Sequence, residues 1–82
     1  MDEWYVYMVR CVDGSLYTGC TNHLIRRWHQ HRNGRGAKYL QRNKPQSVVY
    51  VEKHTSRSKA CKREYEIKQL TKTKKESMIP TR

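Results

Sequence analysis

Apolar, aromatic and β-branched side chains fill both alternating sets of positions from Trp4 to Val12, the pattern of a strand covered on both faces. Such a strand belongs inside a sheet, hydrogen-bonded to a neighbour on each side. Asp13-Gly14 then supplies a turn and Ser15 to Thr21 reads as a second strand, so the chain opens with a β-hairpin. With Val12-Asp13-Gly14 as a three-residue loop and Gly14 left-handed, Cys11 faces Ser15, Val9 faces Tyr17 and Tyr7 faces Gly19. Tyr7 and Tyr17 are then diagonal neighbours on one face. A two-residue loop would put them on opposite faces, because a slip of one residue reverses the alternation.

The period changes after Thr21. Asn22 is the expected N-cap of a helix running to about Asn33, where Gly34 and Gly36 stop it. At about 100° per residue, Leu24, Trp28 and His31 form one stripe with Arg27 at its edge. Gly34 to Gln46 reads as a basic loop with a helical turn around Ala37 to Gln41, and Ser47 to Lys53 as a third strand. Ser56 or Ser58 caps a second long helix extending through Leu70, and Thr71 to Ser77 forms a basic helical tail before Pro80. On a wheel of that second helix Glu64 falls within the arc of Ala60, Cys61 and Ile67, the face that meets the sheet. A carboxylate there requires a partner. The expected architecture is α+β, a three-stranded antiparallel sheet with flanking helices. It forms one domain over residues 1–82, with a core at about 4–70 and a tail at 71–82.

Charge narrows the partner. The 18 Lys+Arg against 7 Asp+Glu leave a formal charge of +11, an excess that suits a polyanion such as nucleic acid. A structural RNA-binding protein fits that charge as well as an enzyme does. No stretch approaches the ~20 apolar residues of a membrane span, and Met1-Asp2-Glu3-Trp4 is unlike a signal peptide, so a cytoplasmic protein without a membrane partner is expected. Cys11, Cys20 and Cys61 are odd in number and widely spaced, which argues against a disulfide framework or a zinc knuckle and reads as buried thiols. His23, His29, His31 and His54 add no group at zinc-site spacing.

Tyr5-Val6-Tyr7, Tyr17-Thr18-Gly19, Arg26-Arg27-Trp28 with His31, and Glu64 within Arg63-Glu64-Tyr65-Glu66-Ile67-Lys68 occur in an order that resembles the GIY-YIG endonuclease domain. The resemblance runs from about Trp4 to Leu70. Gly34-Arg35-Gly36-Ala37-Lys38 and Lys68-Gln69-Leu70-Thr71-Lys72 are similar to the small stand-alone bacterial branch of that family. Tyr5 stands where the motif has its first glycine, and no Asn follows Glu64, although many members carry one beyond the last long helix. The family includes homing and restriction enzymes, repair incision subunits and structure-specific junction nucleases, so the resemblance implies cleavage of the DNA backbone more strongly than any one task.

Hydrolysing a phosphodiester takes a positioned water, a base, charge stabilisation and help for the leaving oxygen. Glu64 suits a single hard divalent cation, Mg²⁺ or Mn²⁺, while the remaining acids are too scattered for a two-metal cluster. The fork of Arg27 matches phosphate oxygens, and His31 is placed to hold a phosphate, orient Arg27 or shuttle a proton. The resemblance selects Arg27 and His31 over Arg26 and His29, and sets Tyr7 and Tyr17 beside the scissile phosphate. One of the two tyrosines, its pKa lowered from ~10 by metal and cations, then serves as general base. Gly19 lets a phosphate backbone approach the sheet, and Arg10, Arg26, Arg32, Arg35, Lys38 and Lys68 are the expected contacts to DNA, with RNA the other polyanion.

Each residue also has a plain structural reading: tyrosines as strand aromatics, Arg27 and His31 as a solvated face, Glu64 as a buried ion pair with Arg10 or Arg27. The catalytic reading rests on the conjunction of all five. Its rival is a non-catalytic DNA- or RNA-binding module with the same fold, which need not gather them in one cleft. A protein partner or a homodimer is the expected source of substrate specificity, since sequence preference and the choice among flap, junction and duplex are not written in the chain.

Overall fold

The computed structural model describes residues 3–80. Three strands, β1 (Trp4–Cys11), β2 (Leu16–Thr21) and β3 (Pro45–His54), form one antiparallel sheet in the order β2-β1-β3. Four helices complete the α+β fold: α1 (Leu24–Arg32), α2 (Lys38–Arg42), α3 (Arg57–Lys68) and α4 (Lys72–Met78).

The two-sided apolar character of β1 is explained by what covers it. Val6 and Met8 point to one face and pack with Ala60 and Ile67 of α3, joined by Met78 of α4 and by Ile79. Tyr7, Val9 and Cys11 point to the other and pack with Leu40 of α2 and with Leu24 and Trp28 of α1. None of these five β1 side chains is more than 1% exposed, and burial of groups this size contributes roughly 1.5–3 kcal/mol each.

The hairpin has the expected register. Gly14 sits at φ 89, the Cys11 amide donates to the Ser15 carbonyl, and Tyr7 pairs with Gly19 and Val9 with Tyr17. β3 runs further than expected at both ends. It begins at Pro45, where a missing N–H is tolerated because an edge strand needs no ladder bond on its outer side. Two register shifts against β1, at Met8/Val9 and Arg10/Cys11, take up the extra length.

Helix α1 starts one residue later than expected. The Thr21 hydroxyl accepts from the His23 amide, and His23 rather than Asn22 becomes the N-cap, its ring accepting from the Arg26 amide. At the other end Gly34 (φ 73) sends its amide to His31 and Arg35 sends its amide to Gln30, a Schellman stop. Ser56 caps α3 and Thr71 caps α4 through their hydroxyls.

The basic tail is fastened. Both terminal nitrogens of Arg10 engage the Glu76 carboxylate, Nη2 donating to Oε1 at 2.7 Å, and Lys72 reaches the same carboxylate at 2.7 Å. Arg10, expected at the nucleic-acid surface, is therefore committed to holding α4 against β1. No helix among the described residues is long and apolar enough to cross a membrane.

Candidate active site

The site grows from the face of β1 that carries Tyr7. Gly19 lies opposite on β2, and the Tyr7 ring occupies the space its missing side chain leaves: a Cβ there would come 2.7 Å from Tyr7 Oη. Gly19 thus makes room for a tyrosine, where a phosphate backbone was expected. The Tyr7 and Tyr17 rings, diagonal across the pair of strands, have centroids 6.4 Å apart.

The last turn of α1 delivers His31, 1% exposed, so that Nε2 lies 2.7 Å from Tyr7 Oη. Its ring is 5.6 Å from that of Tyr17. The chain then folds back over it at Gly36, where a Cβ would stand 2.1 Å from His31 Nδ1. Among the described residues Nδ1 has no hydrogen-bond partner. Burial, reinforced by the Arg27 charge, lowers the His31 pKa to about 4, so the ring is neutral near neutral pH.

Arg27, one turn earlier, donates to Gln30 at 3.1 Å and stands close enough to Tyr7 to favour its phenolate. That influence is outweighed. Burial first, then the neighbouring Tyr17, raises the Tyr7 pKa well above the ordinary phenol value. Burial raises that of Tyr17 too, against the pull of Lys68 and Arg27. Desolvation of the phenolate thus exceeds what the neighbouring side-chain cations return, and the expected lowering of one tyrosine rests on the charge a bound divalent cation would add.

Glu64 approaches from α3, on the other side of the sheet, with the edge strand β2 between. Its partner is neither Arg10 nor Arg27 but Lys68, one turn on, at 2.9 Å. The Lys68 ammonium in turn lies 6.0 Å from the centroid of the Tyr17 ring, and the Glu64 charge acts on both tyrosines. Tyr7, Tyr17 and His31 thus touch, while Arg27 and Glu64 flank them from opposite helices.

Arg26, Arg32, Arg35 and Lys38 are exposed and form no ion pair among the described residues. Sequence reasoning passed over Tyr39 of α2, which stacks on Tyr17 at 6.0 Å and 23° while remaining 41% exposed. It also lines an open depression with Lys38, Gln41, Arg42 and Asn43, so cations and an aromatic face lie together beside the tyrosines. The only signal for Tyr39 was an aromatic next to the apolar Leu40 in a basic loop.

The cysteines differ from expectation. Cys11 is buried, but Cys20 is half-buried and Cys61 is exposed, their sulfurs 3.7 Å apart. Burial and the adjacent Glu64 carboxylate push the Cys20 thiol up to about 12.

Residues 3–77 match the family model described as the GIY-YIG catalytic domain. The chain belongs to the GIY-YIG family, a membership that implies a nuclease family, and its α+β fold is that of the family. Among bacterial relatives it is similar to the UPF0213 protein SERP0126 of Staphylococcus epidermidis, 49% identical over 79 residues and 96% of each chain. It is also similar to the UPF0213 protein of Staphylococcus aureus strain Mu3, 46% identical over the full length of both. The solution NMR structure of the UPF0213 protein BH0048 from Bacillus halodurans is 41% identical and aligns with a TM-score of 0.58, over 92% of this chain and 80% of that one.

Proposed function

We propose that the protein is a divalent-metal-dependent endonuclease that hydrolyses phosphodiester bonds in DNA. The observation that carries this reading is the contact between a neutral, buried His31 and the Tyr7 hydroxyl, with the charges of Arg27 and Glu64 both acting on that tyrosine. A histidine and a guanidinium beside one buried phenol, with a carboxylate near enough to act on it electrostatically, are the groups that phosphodiester hydrolysis requires.

The residues fit a hard cation at Glu64. The carboxylate is 20% exposed and already holds one cation, the Lys68 ammonium, and a Mg²⁺ that retains most of its water needs few protein ligands. When bound, Mg²⁺ or Mn²⁺ supplies positive charge to the scissile phosphate. The side chains do the rest. Arg27 binds a non-bridging oxygen and stabilises the charge that develops on the phosphorane. Tyr7 takes a proton from the attacking water while passing its own to His31 Nε2, whose proton affinity rises when a phosphate brings negative charge beside it. Tyr17 and Tyr39, stacked and partly exposed, offer a surface to the sugar or base next to the scissile bond. Arg26, Arg32, Arg35, Lys38 and Lys68 hold flanking phosphates, and these contacts suit DNA without excluding RNA.

One observation favours a binding module that retains the fold: Tyr7 is only 1% exposed, so substrate must shift its surroundings to reach the hydroxyl. Cleavage of plasmid and branched oligonucleotides in Mg²⁺ and Mn²⁺, beside Glu64→Ala, decides between the two. Metal-dependent nicking that the variant lacks supports the endonuclease. Tight binding with no nicking on any substrate supports the module.

A further inference from the structure

Two cysteines stand next to the site's carboxylate, and the reaction proposed above does not use them. Cys20 of β2 and Cys61 of α3 are separated by 41 positions in the chain, yet their sulfurs lie 3.7 Å apart. The two sulfurs and a carboxylate oxygen of Glu64 all fall within 4.8 Å of one another. Both cysteines are free thiols, and the separation is far beyond the ~2.05 Å of a disulfide bond. It matches another distance. Two thiolates on one tetrahedral zinc ion, each at about 2.3 Å, stand about 3.8 Å apart, the edge of the tetrahedron.

We propose that Cys20, Cys61 and Glu64 form a three-ligand site for a soft divalent cation, Zn²⁺, with water in the fourth position. Two sulfurs and one oxygen suit zinc and are a poor donor set for Mg²⁺, which takes oxygen ligands. Exposed Cys61 provides the entry path. Two thiolates and a carboxylate leave one negative charge in excess over the dication, and Lys68, 2.9 Å from Glu64 Oε2, balances it. Binding releases both thiol protons to solvent and involves no change of oxidation state.

Glu64 then belongs to two donor sets, a soft one shared with the cysteines and a hard one facing the tyrosines. Resting on the endonuclease reading, zinc at the soft site withdraws Glu64 from the hard cation and switches cleavage off.

Titration of Co²⁺ into the reduced, full-length protein tests the site directly. The expected result is one equivalent bound with a near-ultraviolet thiolate-to-cobalt charge-transfer band, displaced by Zn²⁺. Cys61→Ser, at an exposed position with little consequence for folding, should weaken binding more than about tenfold and remove about half of the band. Glu64→Gln should weaken binding and keep the band. Absence of the band in wild type, or wild-type affinity and band in Cys61→Ser, overturns the proposal. In a cleavage assay with Mg²⁺, stoichiometric Zn²⁺ should inhibit the wild type and spare Cys61→Ser, and equal inhibition of both overturns the switch. A protein that shows the band and cuts no DNA keeps the zinc site and loses only the endonuclease reading.

Discussion

His31 Nε2 lies 2.7 Å from Tyr7 Oη, a buried contact that joins the last turn of α1 to the middle of the central strand. The partners sit on elements that pack through Leu24 and Trp28, so the hydrogen bond is set by the helix-to-sheet contact rather than by either segment alone. Removal of His31 leaves a buried hydroxyl without its partner. His31→Ala should lose about 1–3 kcal/mol of stability by denaturant unfolding and about 10²–10⁴-fold in cleavage. A variant that melts lower yet cuts at the wild-type rate would reduce the contact to a structural one.

The same histidine makes stability depend on pH. Its pKa falls from 6.5 to about 4 on folding, so between those values the unfolded chain binds the proton and the native state does not. The stabilisation is complete above about 6.5 and is lost as pH falls towards about 4, a loss of roughly 3 kcal/mol if the whole shift is expressed. Glu76, held down to about 2 by Arg10 and Lys72, titrates in a lower window and should not obscure it. Urea unfolding at a series of pH values should show the slope in wild type and a much flatter profile in His31→Ala.

Gly36 and Gly19 should resist even alanine. A methyl at Gly36 would meet His31 Nδ1 at 2.1 Å, and one at Gly19 would meet Tyr7 Oη at 2.7 Å. Each forces a ring out of place at a cost of about 1–3 kcal/mol, typical of overpacking. Cleavage should fall more than the melting temperature suggests, because a small displacement breaks the Tyr7–His31 geometry first. Alanine variants with unchanged activity would show that the rings can move without consequence.

Glu64→Ala should separate binding from turnover. Its partner Lys68 is 47% exposed and one turn away, a kind of pair that contributes only about 0.3–0.5 kcal/mol, so the variant should melt close to wild type. Cleavage should vanish, and DNA affinity should stay level or rise as a negative charge leaves the phosphate path. A stability loss of about 3–5 kcal/mol would instead mark Glu64 as a buried structural ion.

Arg10 should behave unlike the other cations. Tied to Glu76, Arg10→Ala is expected to lower the melting temperature while leaving DNA affinity and its salt dependence unchanged. Arg32→Ala or Lys38→Ala should leave melting alone and reduce the slope of log affinity against log salt by about one each. Fluorescence anisotropy at increasing KCl reads both.

Much of the frame was legible in the sequence because its causes are local. Alternation on both faces of Trp4 to Val12 made β1 central, and the conformational freedom of Gly14 set the loop length and brought Tyr7 and Tyr17 to one face. Helical periodicity put Arg27 and His31 on neighbouring turns of one stripe, and hydroxyl chemistry narrowed the start of α3 to Ser56 or Ser58, of which Ser56 is the cap. Tertiary structure decided whatever depends on segments that meet without a periodic signal. Glu76 claims Arg10 from 66 positions away, Gly36 closes over His31, the Tyr7 ring rather than substrate fills the space at Gly19, and Tyr39 comes to rest on Tyr17. Cys20 and Cys61 are the sharpest case. Cys61 and Glu64 share one face of α3 by helical spacing alone, whereas Cys20 comes from β2, 41 positions away, and only the packing of strand on helix brings its sulfur to them.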